Sequence, residues 1–157
     1  MHYFIYTIVA WALVYFLVGG KFFKVWKAGL IGVVLTVLAD YFGTKYNLYA
    51  YPRGIIYLGR QPLFHIVNAY AVSLLFLAWL PGRWDKRFLY TVYMSTIFLA
   101  VEAVMYSLGV IVYPHWRLWY SWFLDIAGLT LLALLTDLLF PPIAAAPAVK
   151  GDEGPGR

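Results

Sequence analysis

The sequence predicts an all-α fold, a polytopic membrane helix bundle of about five transmembrane helices. Three observations lead there. The chain of 157 residues is 64% hydrophobic and only 12% charged, against about 45–50% and about 25% in soluble domains. A soluble domain of this size has too little core to hide so much apolar surface. Finally, the Lys and Arg residues are dispersed between apolar runs, which suits membrane topology rather than a phosphate-binding groove. The net charge of +5 therefore carries no expectation of nucleic-acid binding. Without cysteine, disulfides, Cys-ligated zinc and thiol catalysis are excluded.

The first apolar run, 3–18, has no basic residue before it and Lys21, Lys24 and Lys27 after it. That order is wrong for a cleaved signal peptide, so the run is expected to remain as a first span. The second run, 26–42, carries Gly29, Gly32, Thr36 and Asp40 on one helical stripe. Small and hydroxyl residues on one face allow close helix–helix approach in lipid. A connection of about 20 residues follows, rich in Tyr, Pro and Arg and long for a structureless link. It reads either as a folded cap or as an interfacial loop, with Arg53 and Arg60 facing carboxylates or lipid phosphates. The third run, 63–80, opens after Pro62 and places His65 and Asn68 near its start. The fourth, 88–112, aligns Thr91, Ser95, Glu102, Tyr106 and Gly109, and the fifth, 116–140, aligns Ser121, Asp125 and Gly128. Residues 1–140 thus form one transmembrane domain, and 141–157, rich in Pro, Ala and Gly, read as a disordered cytoplasmic tail.

Counting positive charge on alternate connections puts eight of the 12 basic residues on one side. The positive-inside rule then places the N-terminus outside and the C-terminus in the cytoplasm. In that frame Asp40, His65, Asn68, Glu102 and Asp125 all fall in the outer half of the membrane. With the fourth span ending at 112, Glu102 lies about 15 Å deep, and Asp125 lies at a similar depth. An intramembrane acid costs about 2.5–3.5 kcal/mol on insertion scales and faces the bundle or a wet cavity. The site expected is an outward-facing pocket holding a small molecule, lipid, ion or proton. Its residues are Glu102, Asp125, Asp40, His65, Asn68, Arg53, Arg60 and Tyr106. The competing reading is a structural one, in which the acids pair with Tyr106, Ser121 or His65 to fix helix register.

No metal site is expected, because no Glu-x-x-His repeat is present, and no cofactor is identified. Gly-x-Ser-x-Gly, Walker and His-Glu-x-x-His motifs are also lacking. The partners expected are the lipid bilayer, the pocket's ligand, and further copies of the chain in a homo-oligomer if a conducting path is needed.

Asp40 closing the second span, Tyr51-Pro52 in the connection, Pro62 opening the third, and Glu102, Gly109, Tyr113, Trp116 and Trp119 as E-x6-G-x3-Y-x2-W-x2-W carry a resemblance. Over residues 40–138 the chain resembles a family of small, uncharacterised multi-spanning membrane proteins found largely in spore-forming Firmicutes. The resemblance implies a bacterial cytoplasmic membrane location and no particular activity. That family commonly has Asn where Asp125 stands, which makes Glu102 the first residue to test. The chain is also loosely similar to small carotenoid-cyclising membrane proteins, which would imply an enzyme on an isoprenoid or lipid. In that reading Glu102 would be the acid, with Tyr106, Trp119 and Trp122 as its wall. The paired acids after a proline that mark those enzymes are missing, since Pro62 is followed by Leu63-Phe64-His65.

Overall fold

The computed structural model describes residues 2–140. The tail read as disordered, 141–157, lies outside them. Five α-helices dominate: α1 (His2–Leu13), α2 (Phe22–Lys45), α3 (Leu63–Ala78), α4 (Trp84–Ser107) and α5 (Leu118–Leu139). A two-residue hairpin, β1 (Tyr57–Leu58) and β2 (Gln61–Pro62), precedes α3.

Three stretches are long and apolar enough to cross a membrane: Tyr3–Lys45, Trp84–Ser107 and Leu118–Leu139. The fourth, α3, has 16 residues, about 24 Å of helix against a hydrocarbon core of about 30 Å. This supports the all-α membrane class, and differs from five separate full-length spans.

The first stretch is helical for 43 residues, which drawn straight would extend about 65 Å. It does not run straight. Tyr3, at its start, packs with Tyr49 and Tyr51, just beyond its end. Its middle meets the far end of α3, where Trp79 Nε1 donates to Leu17 O (3.2 Å) and Lys21 Nζ to Ala78 O (3.2 Å). The reversal falls in a π-helical turn, Val14–Val18, followed by a tight helical turn, Gly19–Lys21. Gly19 there has φ +43°, a value an L side chain resists. Thus α1 and α2 fold back antiparallel without a loop.

The helix α3 lies between them, in contact with both, and α2 also meets α5, which pairs with α4. Small residues set the closest approaches. A Cβ added at Gly32 would sit 1.9 Å from Ser73 Oγ, and one at Gly29 would meet the Tyr70 ring at 2.9 Å. The small-residue stripe on α2 is therefore its contact face with α3. Polarity is arranged as lipid requires: Asn68, Ser73, Thr91 and Ser95 are buried, while Phe4, Leu30, Leu38, Leu89 and Leu138 are exposed.

Two helix boundaries differ from the sequence expectation in ways that matter. The fourth was expected to run to 112, but α4 stops at Ser107. Gly109 takes φ +65°, and Val112 instead forms an antiparallel bridge with Ala50. A short apolar run of β-branched residues suits either structure, and pairing decided it. Glu102 is consequently about 8 Å from its helix end, shallower than expected. The fifth was expected from 116, and α5 begins at Leu118. At the opposite end of the bundle Arg87, read as part of a connection, lies in α4. Its guanidinium pairs with Asp137 of α5 and donates to Pro81 O.

Gly32→Ala should therefore cost about 1–3 kcal/mol by overpacking, read as a lower melting temperature in detergent. Ser73→Gly added to it should recover part of the loss; an unchanged melt in the single variant would contradict the α2–α3 contact.

Candidate functional site

The α2–α3 connection is where the chain commits most hydrogen bonds. Ala50 and Val112 exchange backbone bonds of 2.9 Å, and His115 N donates to Leu48 O (3.1 Å). Tyr57 OH donates to Tyr51 O (2.5 Å), and Gly54 N donates to Tyr57 OH. Gly59, with φ +66°, makes the tight turn between β1 and β2. Residues 46–62 are thus a folded element rather than a loose loop.

The extended segment Tyr49-Ala50-Tyr51 puts both tyrosines on one face, turned back onto the end of α2. Their hydroxyls donate to Asp40 Oδ1, at 3.0 Å from Tyr49 and 2.8 Å from Tyr51. Asp40 Oδ2 lies 2.9 Å from His65 Nε2, at the start of α3. Asp40 is only 6% exposed; its Oδ1 takes both tyrosine hydrogen bonds, while Oδ2 has the close approach of His65 and no hydrogen bond. The His65 ring also packs at 4.9 Å against Tyr51 and edge-on to Tyr3.

A second network holds Glu102. Its Oε1 accepts from Tyr113 OH and from Ser121 Oγ (2.7 Å), and Trp116 Nε1 donates to Ser121 Oγ (2.9 Å). This joins α4, the 108–117 connection and α5. Asp125, about 10 Å into α5, accepts no hydrogen bond from the protein among the described residues. Asn68 on α3 is 1% exposed, and neither its Oδ1 nor its Nδ2 has a protein partner. Both polar atoms carry the cost of an unmet buried hydrogen bond.

Asp40, His65, Asn68, Glu102 and Asp125 line one cavity of about 250 Å³. Its remaining wall is mainly apolar and aromatic, with Tyr3, Tyr6, Leu35, Phe98, Leu129 and Leu132 among its residues. Three residues named with these from the sequence lie elsewhere. Arg53 reaches over Gly109 and donates to Leu108 O (2.8 Å). Arg60 donates to Thr44 O (3.0 Å) and borders a separate cleft outside the bundle. Neither arginine faces a carboxylate, because helix-end carbonyls lie within their reach and the acids are already screened by tyrosines. Tyr106 is 47% exposed and stacks on the outside of Tyr113 at 4.7 Å. Tyr49, Tyr51 and Tyr113 do the work that sequence reasoning gave to the arginines and Tyr106. The alternation in Tyr49-Ala50-Tyr51 is a signal that could have found the first two; nothing comparable marks Tyr113 as a partner of Glu102.

Among the described residues, no three His, Cys, Asp or Glu side chains converge as a metal site. Comparison with protein-family models, curated proteins and solved structures finds no match to this chain.

Tyr49, Tyr51 and Tyr113 have hydroxyl pKa values raised above the usual 10. For Tyr49 and Tyr51, burial is the main cause, followed by the Asp40 charge; for Tyr113, burial and then the Glu102 charge. The folded chain keeps these protons where unfolded tyrosine releases them. Their stabilisation is therefore fully present below about pH 10 and falls as pH rises above it. Thermal melts should fall steeply beyond that point, and less steeply in Tyr49→Phe/Tyr51→Phe. At neutral pH Tyr51→Phe should cost about 1–3 kcal/mol, while Tyr106→Phe should stay within about 0.5 kcal/mol. Equal losses in the two would contradict the Asp40 network.

Proposed function

We propose that this is an integral protein of the bacterial cytoplasmic membrane that binds a small ligand in an outward-facing polar cavity within its helix bundle. The observation that carries this reading is that Asn68 and Asp125 line the same cavity. Both are polar, both line a cavity with apolar walls, and neither is satisfied by the protein. Groups that only fix helix register are expected to find partners across the helices. Asp40 fits that register role, with Tyr49, Tyr51 and His65 around it. Asp125 and Asn68 do not.

In this reading α1 to α5 each pass the membrane, with the 14–21 reversal at the cytoplasmic side and the α2–α3 connection outside. The N-terminus is outside and the C-terminus cytoplasmic. Support comes from the distribution of basic residues and from the contacts that fold α1 back on α2. The short α3 is accommodated by its polar start beneath the folded connection, which narrows the apolar thickness it must cover. The chain is placed with the small multi-spanning membrane proteins of spore-forming Firmicutes on the Asp40, Tyr51-Pro52, Pro62 and Glu102-to-Trp119 pattern.

Gentle detergent extraction followed by native mass spectrometry tests the reading. The wild-type chain should carry an adduct of fixed mass that Glu102→Gln and Asp125→Asn lose while keeping their melting behaviour. A wild-type spectrum with no adduct from any mild detergent would contradict it.

A further inference from the structure

The charge and hydrogen-bond inventory of the cavity narrows the chemistry of its ligand. Three carboxylates line it, with one imidazole, and among the described residues no lysine or arginine does. The nearest arginines, Arg53 and Arg60, are bound to backbone carbonyls outside it. An anionic ligand would meet three carboxyl groups and no lysine or arginine in a low-dielectric space, where repulsion is least screened. A bare hard cation wants about six or more oxygen ligands, and among the described residues no three His, Cys, Asp or Glu side chains gather to supply them. The carboxylates also differ in what they still require. Asp40 accepts two tyrosine hydroxyls on Oδ1, and its Oδ2 lies in ion-pair contact with His65. Glu102 takes both its hydrogen bonds on Oε1, leaving Oε2 free. Asp125 has no protein donor, and Asn68 presents an unpartnered amide oxygen from 1% exposure.

We propose that the cavity takes a primary ammonium carried on an apolar chain or ring. The ammonium has three N–H donors and no acceptor, and apart from Asp40 Oδ2, which His65 faces, the open acceptors are Asp125, Glu102 Oε2 and Asn68 Oδ1. The apolar body lies among Leu35, Phe98, Leu129 and Leu132, which give the cavity its hydrophobic wall. Charge-assisted bonds in a dry site are the strong kind, so binding removes the cost of leaving Asp125 and Asn68 unpaired. A neutral ligand of the same shape leaves Asp125 uncompensated. The same ammonium chemistry is offered by a free amine and by the ethanolamine headgroup of a phospholipid.

This proposal rests on the cavity being a ligand site, and its test separates the two. The full chain in phosphatidylcholine nanodiscs is titrated calorimetrically with n-hexylammonium, n-hexanol and hexanoate, with empty nanodiscs subtracted. Hexylammonium should bind, hexanol and hexanoate should not, and Asp125→Asn should weaken hexylammonium at least about tenfold. Asn68→Leu keeps the side-chain volume and removes a buried unmet amide, so it should fold at least as well and also bind hexylammonium more weakly. Binding of hexanol or hexanoate as tight as that of hexylammonium would overturn the ammonium assignment and leave the ligand site standing. So would a native adduct identified as neutral or anionic. Failure of every probe, in a chain that also purifies without an adduct, would overturn both. Replacing phosphatidylcholine by phosphatidylethanolamine separates the sources. Weakened hexylammonium binding then identifies the headgroup, and unchanged binding a free amine, each upholding the ammonium chemistry.

Discussion

Asp40 stands at the end of a helix in surroundings where an unpaired carboxylate would cost several kcal/mol. Two tyrosine hydroxyls and an imidazole meet it, and each arrives from a different place. Tyr49 and Tyr51 are delivered by the α2–α3 connection, and His65 by the first turn of α3. Satisfying one acid therefore fixes how the connection folds back and where α3 begins relative to α2. Tyr3 then packs into the same aromatic cluster, which locates the start of α1. Ala50, held between the two tyrosines, bridges Val112 and ties in the far side of the bundle. Much of the geometry at this end follows from that single requirement.

The opposite end is organised with less. The helical reversal at Gly19, the Trp79 and Lys21 bonds to backbone carbonyls, and the Arg87–Asp137 pair close it. The bundle is thus polar and hollow beneath one cap and packed at the other end, where Phe76, Leu77, Leu132 and Ala133 meet. Within the hollow part the two networks divide the labour. Asp40 is used up in structure, Glu102 is half committed to Tyr113 and Ser121, and Asp125 is left over. A protein that needed its acids only for helix register would have no use for the third of them.

Much of this was legible in the sequence, for identifiable reasons. The stripe Gly29-Gly32-Thr36-Asp40 marked the contact face of α2, because small residues at helical spacing have few other uses in lipid. The same spacing brought Glu102, Ser121 and Asp125 toward one interior. What was hidden depended on chain conformation outside helices. An apolar run such as Gly109–Val112 carries no periodicity that separates helix from strand, so α4 was drawn too long. The sequence marks the connection as rich in Tyr and sets Tyr51 and Tyr113 in a motif, but contacts made outside helices follow no fixed spacing that would pair Tyr49, Tyr51 or Tyr113 with an acid. Charge leaves Arg53 and Arg60 between carboxylates and lipid phosphates, whereas carbonyls at helix ends are the acceptors they reach. The Gly19-Gly20 reversal was expected as a connection, and it is instead made within the helical path.

If the open acceptors border an interior polar space, small polar reagents should reach its wall. The chain has no cysteine, so single thiols report on it without background. With the protein in nanodiscs, 2-aminoethyl methanethiosulfonate should modify Asp125→Cys and Gly128→Cys, on the cavity wall. It should leave Val104→Cys and Leu131→Cys, on the exposed apolar faces of α4 and α5, unmodified, because a thiol in lipid does not ionise to react. Equal labelling of the four positions, or labelling of the apolar faces alone, would contradict an interior polar cavity.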